Sequence, residues 1–162
     1  MVKAKKEDYF YISPLIFDIV NLIFINFVFF MFYRLATSDT FLPLVIRVFI
    51  GTPIVLSSFY LEVESHNVFK KSHFKPEEIR NLITGGIYSK LRHPVYLGRI
   101  LLNMGFLIMF PIMQMLFVTI VFILIWLLVA KYEEIILIKK FGKKYKSYKK
   151  KVPMFIPKKS TS

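Results

Sequence analysis

Apolar positions in this chain gather into four long runs set apart by lysine-bearing segments. The first extends from Ile12 to Tyr33 and the second from Phe41 to Leu61. The third, Val95 to Phe110, stops at Pro111. The fourth begins at Ile112, is unbroken to Ala130, and continues through Lys131-Tyr132-Glu133-Glu134 into Ile138. A bilayer core takes about 20 mostly apolar residues per helix, so the pattern predicts an all-α, polytopic integral membrane protein with transmembrane helices over about 12–33, 41–61, 95–110 and 112–138. Almost nothing separates runs three and four, which predicts a tight helical hairpin. The first run is too long for a signal-peptide core and lacks a small-residue cleavage site, so it reads as a retained span.

Beyond Gly142 the period changes. Phe141, Tyr145, Tyr148 and Val152 recur on one helical face with lysines between them. That pattern predicts a C-terminal interfacial helix lying in the headgroup plane on the cytoplasmic side. Read alone, it is also the pattern of a polybasic anchor on anionic lipid.

Composition agrees with a lipid solvent and then adds a direction. Of 162 residues, 56% are hydrophobic, yet the net charge is +13. The lysines lie outside the apolar runs, which points to anionic membrane lipids as partners and not to nucleic acid. Lys3, Lys5 and Lys6 precede the first run, and Lys70, Lys71, Lys75, Arg80, Lys90 and Arg92 lie between the second and third. Eight lysines follow between Lys139 and Lys151, whereas Arg34 stands alone after the first run. The positive-inside rule then places both termini and the long middle segment in the cytoplasm of a multi-pass protein. There is no cysteine, which excludes disulfides, thiolate metal sites and a cysteine nucleophile. His66 and His73 have no metal-ligand spacing and read as loop residues, so no metal site is expected. The sequence reads as one domain over 1–162, and it leaves the oligomeric state open.

Two stretches carry chemistry. In Gly85-Gly86-Ile87-Tyr88-Ser89-Lys90-Leu91-Arg92-His93-Pro94-Val95-Tyr96-Leu97-Gly98 the glycines mark a turn. Pro94 suits the first position of a helix and disfavours helical geometry at His93. The third span is therefore predicted to start at Pro94, with first-turn amides and the positive dipole end suited to a carboxylate or phosphate. The second stretch is Lys131-Tyr132-Glu133-Glu134. Glu134 can pair with Lys131 one turn back, while Glu133 has no local partner and the hairpin brings it beside Pro94. Amides for an anion and a carboxylate for an ammonium make a cradle for the zwitterionic end of an amino acid, with tyrosines to face a sulfonium. Within the first run, Asp18 and Asn21 share a face and read as groups seeking another helix, as does Asn26. Arg47 reads as a snorkelling cation.

These residues resemble a known family. Gly86, Tyr88, Arg92-His93-Pro94, Tyr96 and Gly98, then Glu133-Glu134, then Phe141-Gly142, Tyr145, Tyr148 and Val152-Pro153 follow, in order, the pattern of the isoprenylcysteine carboxyl methyltransferases, in a broad group that includes the membrane phospholipid methyltransferases. The resemblance covers about half the chain, and the implied cofactor-binding half is 80–157. It implies a membrane methyltransferase that binds S-adenosyl-L-methionine at the cytoplasmic ends of the last two spans and methylates a lipid-associated acceptor, either a prenylcysteine-type carboxylate or a lipid amine. Carried over by position, cofactor contacts fall on Asn81, Leu82, Ile83, Tyr88, His93, Pro94, Val95, Tyr96 and Glu133. One departure bears on the acceptor: where prenylcysteine methyltransferases carry a carboxylate-binding arginine, this chain has Val129. Arg99, on the facing helix with Tyr96 and Asn103 on its stripe, is the candidate replacement for substrate binding. No catalytic residue is assigned: a carboxylate acceptor needs no base, whereas an amine acceptor must first lose a proton, for which Glu133, Glu134 and His93 are all candidates. Two other readings fit parts of the pattern: an NADPH-binding enzyme similar to the membrane sterol reductases, and a non-enzymatic polybasic membrane scaffold.

Overall fold

A computed structural model describes residues 14–33, 42–68 and 81–156. Among them are five α-helices and no strand: α1 Pro14–Met31, α2 Leu44–Val68, α3 Pro94–Met109, α4 Met113–Phe141 and α5 Lys143–Lys151. A 3₁₀ turn, Gly86–Ser89, precedes α3.

Helices α2 and α4 are long and apolar enough to cross a membrane, whereas Ile16–Met31 within α1 and Pro94–Met109 are shorter apolar helices. Their outward faces belong in lipid: Val45 and Phe49 are 78% and 80% exposed, and Phe27, Leu56, Phe117 and Leu128 are exposed as well. An apolar surface this continuous is not carried by a water-soluble monomer.

Helix α2 runs seven residues past the expected end at Leu61, through Glu62 and Glu64 to Val68. His66, read as a loop residue, is therefore in the last turn of α2, exposed; His73 lies outside the described residues. The serine in the extension bonds back onto the helix, as Ser65 Oγ donates to Leu61 O at 2.6 Å. Small residues allow α2 and α3 to approach closely. A methyl group on Gly105 would stand 2.6 Å from Val55 Cγ2, and one on Gly51 would stand 2.9 Å from the carbonyl oxygen of Gly105. This is how helices associate in lipid, where apolar transfer no longer drives them together.

Helix α3 begins at Pro94, as its sequence requires, and ends at Met109; Phe110, Pro111 and Ile112 make the turn into α4. Arg47 is the surprise of this end. It does not snorkel: it is 1% exposed, with Nε donating to Leu42 O and one terminal nitrogen to Met109 O, both at 3.1 Å. The guanidinium thus caps the carbonyl end of α3, whose last groups have no partner within the helix.

Helix α1 lies along the hairpin and is joined to it by aromatic pairs, Phe17 with Trp126, Phe24 with Phe122 and Phe29 with Phe110. The order of those pairs makes α1 antiparallel to α4. Gly142, with φ of 52°, ends α4 in a conformation that glycine adopts without steric cost. The chain turns there into α5, which buries Tyr145 and, just beyond its end, Val152.

Candidate functional site

The turn before α3 and the chain after α5 are stitched together. Arg92 N–H donates to Pro153 O at 3.0 Å and His93 N–H to Met154 O at 3.3 Å. The Arg92 guanidinium donates to Lys149 O at 2.7 Å and Val152 O at 2.8 Å, satisfying carbonyls at the end of α5. Tyr148 donates to Tyr88 O at 2.6 Å. Two segments some sixty residues apart therefore converge on the start of α3.

At the centre are two carboxylates from α4. Glu134 is 3% exposed and does not pair with Lys131, which is exposed. It points inward on the stripe of Trp126, Ala130 and Leu137, all buried, at helical spacings of four, four and three. Its oxygens lie 2.8 Å from Arg92 Nε, 3.4 Å from His93 Nε2 and 2.5 Å from Lys149 Nζ. Glu134 is thus the anchor of the stitch. Glu133, one residue earlier, keeps a partly exposed carboxylate, with one oxygen 3.5 Å from His93 Nδ1. It does face the Pro94 end of α3, as the hairpin predicts.

His93 stands between the two. Burial disfavours its charged form, yet hydrogen bonds to Glu133 and Glu134, together with their negative charge, outweigh burial and raise its pKa above the ordinary histidine value. The geometry explains why: a neutral imidazole has one N–H, and here both ring nitrogens face carboxylates. The ring stacks on Tyr96 at 5.5 Å between centroids, and Tyr96 stacks on Trp126 at 5.6 Å, each pair 14° from parallel. Tyr96 is 7% exposed, so it serves as an inner support and offers no open face. Tyr88 is half-buried. Burial pushes its hydroxyl up to about 12 and the charge of Glu133 adds to this, while a hydrogen bond with Ser65 and the charge of Arg99 act the other way.

Among the expected cofactor residues, Tyr88, His93, Pro94, Tyr96 and Glu133 come together at this end of the hairpin, with Val95 in the first turn of α3. Asn81 is exposed and Leu82 and Ile83 are half-buried on the segment leading to the turn; none of the hydrogen bonds or ring contacts described above ties them to the cluster.

Arg99 lies one turn into α3. Its guanidinium is ion-paired with Asp18 of α1 and lies 4.5 Å above the ring of Trp126 and 5.5 Å from that of Tyr96. Asp18 has thus found its partner helix. Asn26 has not: it is exposed and donates to Leu22 O in its own helix at 2.7 Å. Trp126 was not singled out from the sequence, although its spacing of eight from Glu134 marks the inward stripe.

The fold and site define a class: an all-α membrane protein with a buried ionic cluster and an open carboxylate at one end of a helical hairpin. A family model described as phospholipid methyltransferase matches residues 42–144, well over half of the chain, from the start of α2 into α5. The chain belongs to the phospholipid methyltransferase family, a family of membrane methyltransferases. Comparison with curated proteins and with solved structures gives no match.

Proposed function

We propose that this protein is an S-adenosylmethionine-dependent methyltransferase that modifies a lipid-associated acceptor at the cytoplasmic face of a membrane. The observation that carries the reading is Glu133: a partly exposed carboxylate, paired among the described residues with His93 at 3.5 Å, beside the amide end of α3. Its neighbour Glu134 is fully engaged, so the two adjacent acids divide into an anchor and an open ligand.

The side chains present suit the cofactor. Glu133 meets an ammonium group. The first-turn amides at Val95 and Tyr96 have no carbonyl four residues back to receive them within the helix and suit a carboxylate. The ring of Tyr88 suits a sulfonium. Asn81, Leu82 and Ile83 border the same end by chain position. Bound S-adenosylmethionine supplies an already activated methyl group on sulfur, so the protein has to orient the acceptor and exclude water. The stack of His93, Tyr96 and Trp126 gives that region a rigid, dry wall.

In this reading α1 to α4 are four spans, both termini are cytoplasmic, and α5 lies in the headgroup plane. Six lysines in the nine residues of α5 are its contact with anionic lipid.

The test is equilibrium binding of S-adenosylmethionine to detergent-purified protein, with NADPH in parallel and Glu133→Ala as control. Saturable binding that is displaced by S-adenosylhomocysteine and lost in the variant supports the reading. NADPH binding in its place would establish a reductase, and binding of neither by folded protein would leave a scaffold.

A further inference from the structure

The six lysines of α5 are not equivalent. The buried Tyr145 and Val152 mark the inner side of the helix, and Lys149 shares that side and pairs with Glu134. At the helical repeat, Lys143, Lys144, Ser147 and Lys151 fall within an arc of about 100° on one flank, and Lys146 and Lys150 fall outside it. The first flank is one wall of an open cleft of about 730 Å³. The other wall comes from Thr84 and Ser89, on the segment that leads into α3. Tyr148 joins the two walls: it lines the cleft and donates to Tyr88 O at 2.6 Å.

No carboxylate lines this cleft. Among the described residues, Lys143, Lys144 and Lys151 have no ion-pair partner. Lys143 and Lys144 also stand in the first turn of a helix that carries no acid there, where a cation opposes the helix dipole. Three like charges are thus gathered in one concave place, which focuses a positive field and leaves a repulsion that a bound anion removes. The donors define the anion further. Beside the three ammonium groups are the hydroxyls of Thr84 and Ser147, while that of Ser89 donates to Gly86 O at 2.7 Å. A carboxylate or a phosphodiester, with a single charge, leaves most of this set unused. A phosphomonoester carries a charge of about −1.5 to −2 and three strong acceptor oxygens.

We propose that the cleft between α5 and the segment before α3 binds a phosphomonoester, borne by a lipid or free in solution, and that the bound group ties α5 to the turn that carries Tyr88. Glu133 does not line the cleft, so the site is separate from the cofactor cradle and does not rest on the methyltransferase reading. It also differs from the diffuse attraction of a polybasic helix to an anionic surface, which depends on the number of charges and not on their positions.

Native mass spectrometry of the full chain in detergent resolves bound lipids one at a time. It compares dioleoyl phosphatidate, a monoester, with dioleoyl phosphatidylglycerol, a diester on the same acyl chains. Wild-type protein should favour phosphatidate by at least about tenfold in apparent affinity. Lys144→Gln/Lys151→Gln should reduce that ratio to about twofold or less. Lys146→Gln/Lys150→Gln removes the same charge outside the cleft and should leave the ratio within about twofold of wild type. Glutamine sustains a helix about as well as lysine. Ser147→Asp keeps every lysine, places a carboxylate on the same flank, and should also abolish the preference. Excess glycerol 3-phosphate distinguishes the sources: displacement of phosphatidate assigns a free phosphomonoester, and its retention assigns a lipid head. No preference in wild type, equal loss of it in the two double variants, or its survival in Ser147→Asp would overturn the inference.

Discussion

Replacing Glu134 with alanine should release α5 from the hairpin while leaving the helices of the bundle in place. The carboxylate is 4% exposed and faces Arg92, whose side chain is 8% exposed, and His93, at 4%. Removing one partner of a buried pair leaves a buried charge uncompensated, at a cost of about 3–5 kcal/mol. Deprotonation of His93 relieves part of the cost, which favours the lower end. The ammonium of Lys149 is 42% exposed on the side-chain scale, and such a partner adds at most about 1 kcal/mol. At about 1.4 kcal/mol per factor of ten, the population with α5 undocked should rise roughly a hundredfold or more. Trypsin reads this directly, because α5 offers six lysines and cleavage follows the open population when reclosing is fast. Cleavage between Lys143 and Lys151 should accelerate by about that factor in Glu134→Ala and by no more than about fivefold in Lys149→Gln. Emission from Trp126 should stay unchanged. If Glu134→Ala is cut no faster than Lys149→Gln, the buried carboxylate is not what holds α5.

Two further outcomes follow from the same geometry. Because folding raises the pKa of His93 above the ordinary 6.5, the folded state binds that proton more tightly. Its contribution is complete below pH 6.5 and is lost as pH rises through the raised value, so protection of α5 from trypsin should fall on the alkaline side in wild type and show no such step in His93→Gln. Arg47→Leu removes the two donors that cap Leu42 O and Met109 O. At about 1.5–3 kcal/mol for a hydrogen bond from a charged group, it should lower thermal stability in detergent far more than Arg99→Lys; equal melting temperatures would show that the cap contributes nothing.

Much of the hairpin was legible in the residues. Pro94 both permits a helix start and forbids a helical residue before it, and Pro111 leaves room for only a short turn, so the ends of α3 and the approach of Glu133 followed from local sterics. Asp18 needed a partner in any apolar bundle, and it has one. Two of the failures share one cause, a distant segment that decided the outcome. Lys131 was in reach of Glu134 along the helix, but Arg92 and Lys149 compete from elsewhere in the chain, and burial on the Trp126 stripe decides the contest. Arg47 had the composition of a snorkelling cation, yet the open carbonyl end of α3 sits within its reach. The end of α2 was misread because hydropathy drops at Glu62 while the backbone continues in helix to Val68. Hydropathy reports the solvent, and helix length reports hydrogen bonding.

The backbone bonds from Arg92 and His93 to Pro153 and Met154 also set an order of events during synthesis. The signature residues at the start of α3 leave the ribosome some sixty positions before the segment that pins them. A nascent chain can therefore form its whole hairpin and still lack the ionic stitch at the start of α3, which closes only when the final turn emerges.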